Sequence, residues 1–205
     1  SGIEIDPNDD VNMSQSSNDV IPTAIKISAY KDLTEKLYPA LDKLIKEIEK
    51  KEGSLKGIVK TGRTHLMDAM PLDISQEFSA WSSQLKNVKK TLVFLEKRLL
   101  EMPLGGTAVG TGINAHPRFA KTFAKELSSL TGGKCKAVAS ENFFHELSTQ
   151  DTAVQVSGEL KNLAVSLMKI SNDLRWMNAG PLAGLSEIEL KALQPGSSIM
   201  PGKVN

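Results

Sequence analysis

Cysteine is almost absent. One residue, Cys135, stands in a chain of 205, so no disulfide can form within it. That usage fits a reducing compartment, the cytoplasm or, in a eukaryote, the mitochondrial matrix. Net charge is nearly missing too: 25 Lys and Arg against 24 Asp and Glu leave +1. This argues against a nucleic-acid partner or an anionic membrane, either of which needs a basic patch. Every apolar run is broken by charge, so no membrane-spanning helix is expected. The first ten residues, "SGIEIDPNDD", lack the basic and apolar pattern of a signal peptide and read as a cut end. The three histidines, His65, His116 and His145, show no HExxH or related spacing, so neither a metal nor a cofactor is expected. No G-x-S-x-G turn is present to carry a hydrolase serine. "LGGTAVGTG" (104–112) lacks the Gly-Lys-Ser/Thr ending of a phosphate loop and reads as a tight interhelical turn. Strand patterns are scarce, "LKGIVKTG" (55–62) being the one plausible segment.

What is present is helical periodicity. After Pro71, apolar residues fall at Phe78, Trp81, Leu85, Val88, Leu92, Leu95, Leu99 and Met102, alternating steps of three and four until Pro103. A second seam runs through Ala153, Val156, Leu160, Leu163, Leu167, Ile170, Leu174 and Met177, and stops at Gly180-Pro181. A third long helix is expected from about Asp19 and Pro22 to Gly53. Its apolar positions include Ile21, Ala24, Ile25, Leu37, Leu41, Leu44, Ile45 and Ile48, with a kink at Pro39. A shorter helix is expected from Pro117 to Leu130, with His116 at its N-cap, and His145 is placed on a helix. The fold class is therefore all-α, a long-helix bundle. Its stripes exceed what one chain can cover, so copies of the chain are expected to bury them against one another.

Three polar stretches lie between these helices: "NMSQSSND" (12–19), "KTGRTHLMDAMP" (60–71) and "GSSIMPGKVN" (196–205). Taken singly, each has a plain reading. "SSND" is a helix cap, and a lone histidine is most often a satisfied structural residue or a surface one. Taken together they offer hydroxyls, amides, a lysine and a histidine, which can hold a small carboxylate and move a proton.

In that combination "GSSIMPGKVN" resembles the signature loop of the fumarase/aspartase superfamily. "VNMSQSSNDVIPTA", "TGRTHLMDAMPL", "GGTAVGTGINAHP", "SLMKISNDLRWMNAGP" and "GLSEIEL" are similar to segments of class II fumarases, in the same order. The resemblance covers residues 1–205 and implies the central helical domain of that fold, truncated at both ends, contributing to a helical core shared by four subunits. His65 and Ser17 are as in fumarases, where aspartases generally carry glutamine and threonine. Aspartate ammonia-lyase is thus the second reading, and a non-catalytic helical assembly fragment the third.

The activity implied is reversible hydration of fumarate to L-malate through an aci-carboxylate. Ser197 resembles the family's catalytic base, with His65 positioning or protonating the leaving oxygen. Ser16, Ser17, Asn18, Thr64, Lys203 and Asn205 would bind the dicarboxylate. Asn8 and Asp9 match a possible second dicarboxylate site, but Asp6 stands where fumarases commonly have histidine and would repel the ligand.

Overall fold

The computed structural model describes Gly2, residues 4–200 and Lys203. Near the start, Pro7–Val11 forms a five-residue π-helical turn. Helix α1 (Ser17–Asp32) follows, beginning two residues before the expected Asp19. Ser16 and Asp19 close a capping box at its start. Pro22 is therefore the sixth residue of α1 and lies inside it, not in a first turn.

The kink expected at Pro39 is instead a π-helical turn just before it, Leu33–Leu37, in which the Tyr38 amide donates to the Leu33 carbonyl. Proline has no N–H for the carbonyl four residues back, and a wider turn accommodates that loss without breaking the run. Helix α2 (Tyr38–Ser54) continues to the expected end.

Strands β1 (Val59–Thr64) and β2 (Met67–Asp73) form an antiparallel hairpin, paired from Val59 with Asp73 to Thr64 with Met67. The second strand was not expected. Helix α3 (Ile74–Leu99) leads into β3 (Glu101–Met102), so Pro103 follows a strand and does not itself stop the helix. Strand β3 pairs in parallel with β4 (Val138–Ala139). Between them, α4 (Phe119–Leu130) ends at Gly132 and Gly133, whose φ values of +63° and +76° suit glycine. The N-cap of α4 is Arg118 and not His116, whose Nδ1 instead accepts the Arg118 amide at 3.1 Å. Helices α5 (Phe143–Ser148), which carries His145, and α6 (Asp151–Met177) complete the order.

The chain divides into two compact units, residues 1–44 with 86–161, and residues 45–85 with 162–205. In the first, Leu33, Tyr38, Leu41, Val88, Leu92, Leu95, Leu99, Met102 and Val156 are buried. Helix α1 departs from its expected orientation: Asp19, Thr23 and Lys26 are buried, whereas Ile21 and Ile25 are 56% and 41% exposed. The polar face is turned inward because backbone groups there need partners. Lys26 Nζ donates to the Arg98 and Glu101 carbonyls, each at 3.0 Å, at and just beyond the end of α3, where carbonyls lack helical N–H donors. It also pairs with the buried Glu146 carboxylate. Burial pushes the Cys135 thiol up, which keeps it unreactive.

In the second unit, Ile45, Ile48, Ile74, Phe78, Trp81, Leu85, Leu163, Ile170 and Met177 are buried. Trp81 Nε1 donates to Asp173 at 2.9 Å. The base of the hairpin is tied by charge. Lys60 bonds Glu77 at 2.9 Å and lies 2.7 Å from Glu187 Oε2, a charge contact off-line for a hydrogen bond. Arg63 Nη1 donates to Glu187 Oε1 at 2.6 Å.

Along α6 the buried positions Val156, Leu163, Ile170 and Met177 recur every seventh residue, while Leu160 and Leu167 at the edge are 39% and 36% exposed. On the opposite side Val154, Val165, Met168 and Trp176 are 68%, 56%, 65% and 54% exposed. Stepping 100° per residue puts these four within about 80° of one another.

Two outcomes follow from the buried charges. Lys26→Met or Glu146→Leu alone strands a buried partner and costs about 3–5 kcal/mol, whereas the double substitution costs far less than their sum. Urea denaturation of the three variants checks this; additive losses contradict it. Burial alone pushes the Glu187 carboxyl up, but Lys60 and Arg63 outweigh it, so it sits below its ordinary 4.5. A depressed carboxyl binds fewer protons when folded, so its contribution is full above pH 4.5 and drains as the pH falls through the folded-state value. The stability gap between the unsubstituted protein and Glu187→Gln should therefore shrink on acidification, as thermal melts from pH 7 to 3 would show.

Candidate functional site

The Ser16–Asn18 turn sits at the N-terminus of α1, where the helix dipole favours an anion. Ser17 and Asn18 are exposed and Ser16 is half-buried. Ser16 Oγ is occupied in part, accepting the Asn18 amide at 3.2 Å. The turn is bonded to the glycine-rich 104–114 loop: Asn18 Nδ2 donates to the Ala108 carbonyl at 2.8 Å, and Ser14 Oγ to the Asn114 carbonyl at 3.1 Å. Asp19 reaches the same loop, its Oδ2 accepting the Gly105 and Thr107 amides at 3.0 and 2.8 Å. Thr23 Oγ1 accepts the Leu104 amide at 3.0 Å. The 104–112 segment is thus more than an interhelical turn. It is the surface on which the Ser16–Asn18 turn rests.

Upstream in the same unit, Asn8 and Asp9 lie in the π-helical turn Pro7–Val11. Asp6 caps it, its Oδ1 accepting the Asn8 and Asp9 amides at 2.7 and 2.8 Å. Its carboxylate therefore has a structural task that histidine would perform less well, and it spends both amides that a second anion would otherwise find.

In the second unit, Thr64 ends β1 and His65 forms the tip of the hairpin with Leu66. Both tip residues have positive φ, +50° and +65°. Two such residues make the turn that matches strand twist, a place normally held by Asn-Gly, so a histidine and a leucine there carry strain. His65, Leu66 and Met67 all stand exposed. The tip displays an imidazole clear of its own hairpin.

Ser197 and Lys203 lie in the terminal loop and are exposed; Asn205 falls outside the described residues. Ser197 Oγ accepts the Met200 amide at 2.9 Å. The loop is folded on itself, Met200 and Lys203 amides donating to the Ser197 and Met200 carbonyls, each at 3.1 Å. Among the described residues no hydrogen bond joins Thr64 or His65 to Ser197 or Lys203 within this unit. Also among the described residues, no group of three or more His, Cys, Asp or Glu side chains could hold a metal ion, and no helix is long and apolar enough to cross a membrane.

Sequence reasoning missed Asp19, Thr23 and Glu187. Asp19 was visible as part of a cap, and that half of its role is real. Its other oxygen bonds amides 86 and 88 residues away, for which a single sequence offers no signal. Glu187 lies 124 residues from Arg63.

Comparison with known proteins gives this arrangement its setting. A family model described as "Lyase" matches residues 1–205. The fumarate hydratase class II of Xylella fastidiosa is 59% identical over 201 residues, covering 98% of this chain and 42% of that protein. The fumarate hydratase class II 2 of Pseudomonas aeruginosa is 56% identical over 204 residues, covering 100% of this chain and 44% of that one. The crystal structure of class II fumarase from Schistosoma mansoni superposes with a TM-score of 0.95 at 38% identity, over 98% of this chain and 44% of its own. This chain therefore spans less than half the length of the relatives it matches. With the family model matched from end to end and the mainly helical fold shared, the chain belongs to the lyase family that contains the class II fumarases.

Proposed function

We propose that this chain works as the central helical domain of a fumarate hydratase, catalysing the reversible anti addition of water to fumarate to give L-malate. The difficulty of the reaction is charge. Removing a proton from the carbon beside a carboxylate of malate leaves an aci-carboxylate with an added negative charge, which fixed donors and cations must hold. Lys203 and Asn205 supply an ammonium and an amide for that carboxylate. Ser16, Ser17 and Asn18 bind the substrate through their side chains at the helix N-terminus, and Thr64 lies on the hydroxyl side.

Ser197 takes the C3 proton. The C2–O bond then breaks as the hydroxyl leaves with a proton delivered from the His65 side, giving fumarate and water. A serine oxygen serves as a base only if its ionised form is stabilised. The observation that carries the proposal is that Ser197 Oγ, exposed in its loop, already receives the Met200 amide at 2.9 Å. That fixed N–H lowers the cost of an alkoxide, and Lys203 in the same loop adds positive charge. His65, held at φ +50° on the hairpin tip, is displayed in the manner of a residue that must reach substrate.

The assembly is part of the proposal. The exposed apolar face of α6 calls for a cover, and we place there the helices of other copies in a homotetramer, with the three polar stretches of one site coming from different subunits. The second dicarboxylate site at Asn8 and Asp9 is weak or absent, because the Asp6 carboxylate occupies their amides and repels a dianion. A cytoplasmic or mitochondrial-matrix setting rests on the single, buried thiol.

The test uses the full-length protein. Ser197→Ala should lower kcat for fumarate hydration by about 10²–10⁴-fold with the assembled mass unchanged. Near-normal turnover removes Ser197 from the mechanism. Aspartate deamination measured beside it separates the reading from an ammonia-lyase, for which His65 is the wrong residue.

A further inference from the structure

Asp19 is fully buried, and three backbone amides share its carboxylate. Oδ1 accepts the Ser16 amide at 2.9 Å; Oδ2 accepts Gly105 at 3.0 Å and Thr107 at 2.8 Å. One side chain thus joins the start of the Ser16–Asn18 turn to the glycine-rich loop. The same loop returns the contact through its Ala108 carbonyl, which takes a hydrogen from Asn18 Nδ2 at 2.8 Å and so fixes the amide plane of Asn18.

A buried negative charge cannot help to attract a dianionic substrate; electrostatically it opposes one. Nor is a carboxylate the least costly way to pin a loop, since burying a charge is expensive even when it is hydrogen-bonded. What a carboxylate has and an amide lacks is two acceptor oxygens with no donor between them. An asparagine would set its NH₂ against either the Ser16 amide or the Gly105 and Thr107 pair. The contact demands acceptance on both sides, and aspartate meets it. Thr107, with φ at +58°, is held in a conformation unusual for a β-branched residue, and its amide is one of those Asp19 grips.

We propose that Asp19 is a positioning residue for the fumarate site, holding Ser16–Ser17–Asn18 and the 105–108 backbone as one rigid platform so that Asn18 and the Ser17 hydroxyl meet the substrate carboxylate in fixed register. The proposal rests on the fumarate reading given above. Thr23 provides the contrast. It is buried 4 residues along α1 and bonds Leu104 of the same loop, but it does not touch the Ser16–Asn18 turn.

The experiment compares Asp19→Asn, Thr23→Val and Ser14→Ala in the full-length protein. Asp19→Asn should raise the KM for fumarate about tenfold or more with kcat within about threefold, the pattern of lost binding common to ground and transition state. Thr23→Val should lower the melting temperature with KM unchanged. If Asp19→Asn also lowers only the melting temperature, Asp19 is structural and the proposal is overturned. Should Asp19→Asn fail to assemble, Ser14→Ala decides. It removes only the bond to the Asn114 carbonyl at the exposed edge of the seam, and should raise KM about two- to fivefold; an unchanged KM overturns the proposal.

Amide hydrogen exchange on the same variants reads the platform without substrate. Residues 16–18 and 105–107 should lose protection together in Asp19→Asn; loss confined to one segment contradicts a shared platform. If the unsubstituted full-length protein fails to hydrate fumarate, the functional reading falls, and exchange still reports on the platform by itself.

Discussion

Helix α6 is apolar on two opposite sides, and residues 1–205 bury one of them. Val156, Leu163, Ile170 and Met177 are buried, while Val154, Val165, Met168 and Trp176 face outward with more than half of their surface exposed. Burying such a side chain gains about 1.5–3 kcal/mol, so a helix with two such faces is poised to lie between two layers. Phe94 on α3, 68% exposed, and Ile21 on α1, 56% exposed, make the same demand. Apolar surface displayed in rows is the mark of an interface. In the assembly proposed above, other copies of the chain supply the cover and bring the polar ends of the helices to one another.

The inside of α1 shows how the polar ends are kept in place. Its buried face is made of Asp19, Pro22, Thr23 and Lys26, and each of the three polar ones serves backbone groups. Lys26 closes the carbonyls at the end of α3, Thr23 holds Leu104, and Asp19 holds Gly105 and Thr107. Buried polar side chains cost stability unless fully satisfied, and satisfied ones specify a single arrangement. The helix serves less as a hydrophobic filler than as a rack for an irregular segment that no sheet or helix supports. In the other unit, Glu187 does the same for the hairpin through Lys60 and Arg63.

Much of the fold was legible. The seven seam positions from Phe78 to Leu99 are buried, because a long amphipathic helix writes its contacts locally, and the eighth, Met102, is buried in β3. In α6 the same reading found the helix and its inward side, since Val156, Leu163, Ile170 and Met177 of the expected seam are buried; the second apolar side, Val154, Val165, Met168 and Trp176, went unread. Helix α1 defied the rule that apolar residues point inward, since Lys26 and Asp19 answer backbone needs created by residues far along the chain. The first strand was anticipated in "LKGIVKTG", but the turn and second strand were not, because "RTHLMDAM" neither alternates nor places glycine or asparagine at its tip; His65 and Leu66 take the positive φ instead. The polar stretches were recognisable as clusters of chemistry. Their supports, Asp19 on the 105–107 backbone and Glu187 on Arg63, were not, because each spans 86 residues or more.

In the assembly we propose, one site draws its polar stretches from different copies of the chain, whose exposed helix faces other copies cover. Mixing tests it most directly. Full-length Asn18→Ala and Ser197→Ala proteins, each nearly inactive, are dissociated, combined in equal amounts and reassembled. If the Asn18 and Ser197 stretches of a site come from different subunits, about a quarter of the sites in random tetramers carry neither substitution, and fumarate hydration recovers to about that fraction. Activity that stays at the mean of the two parents contradicts the claim.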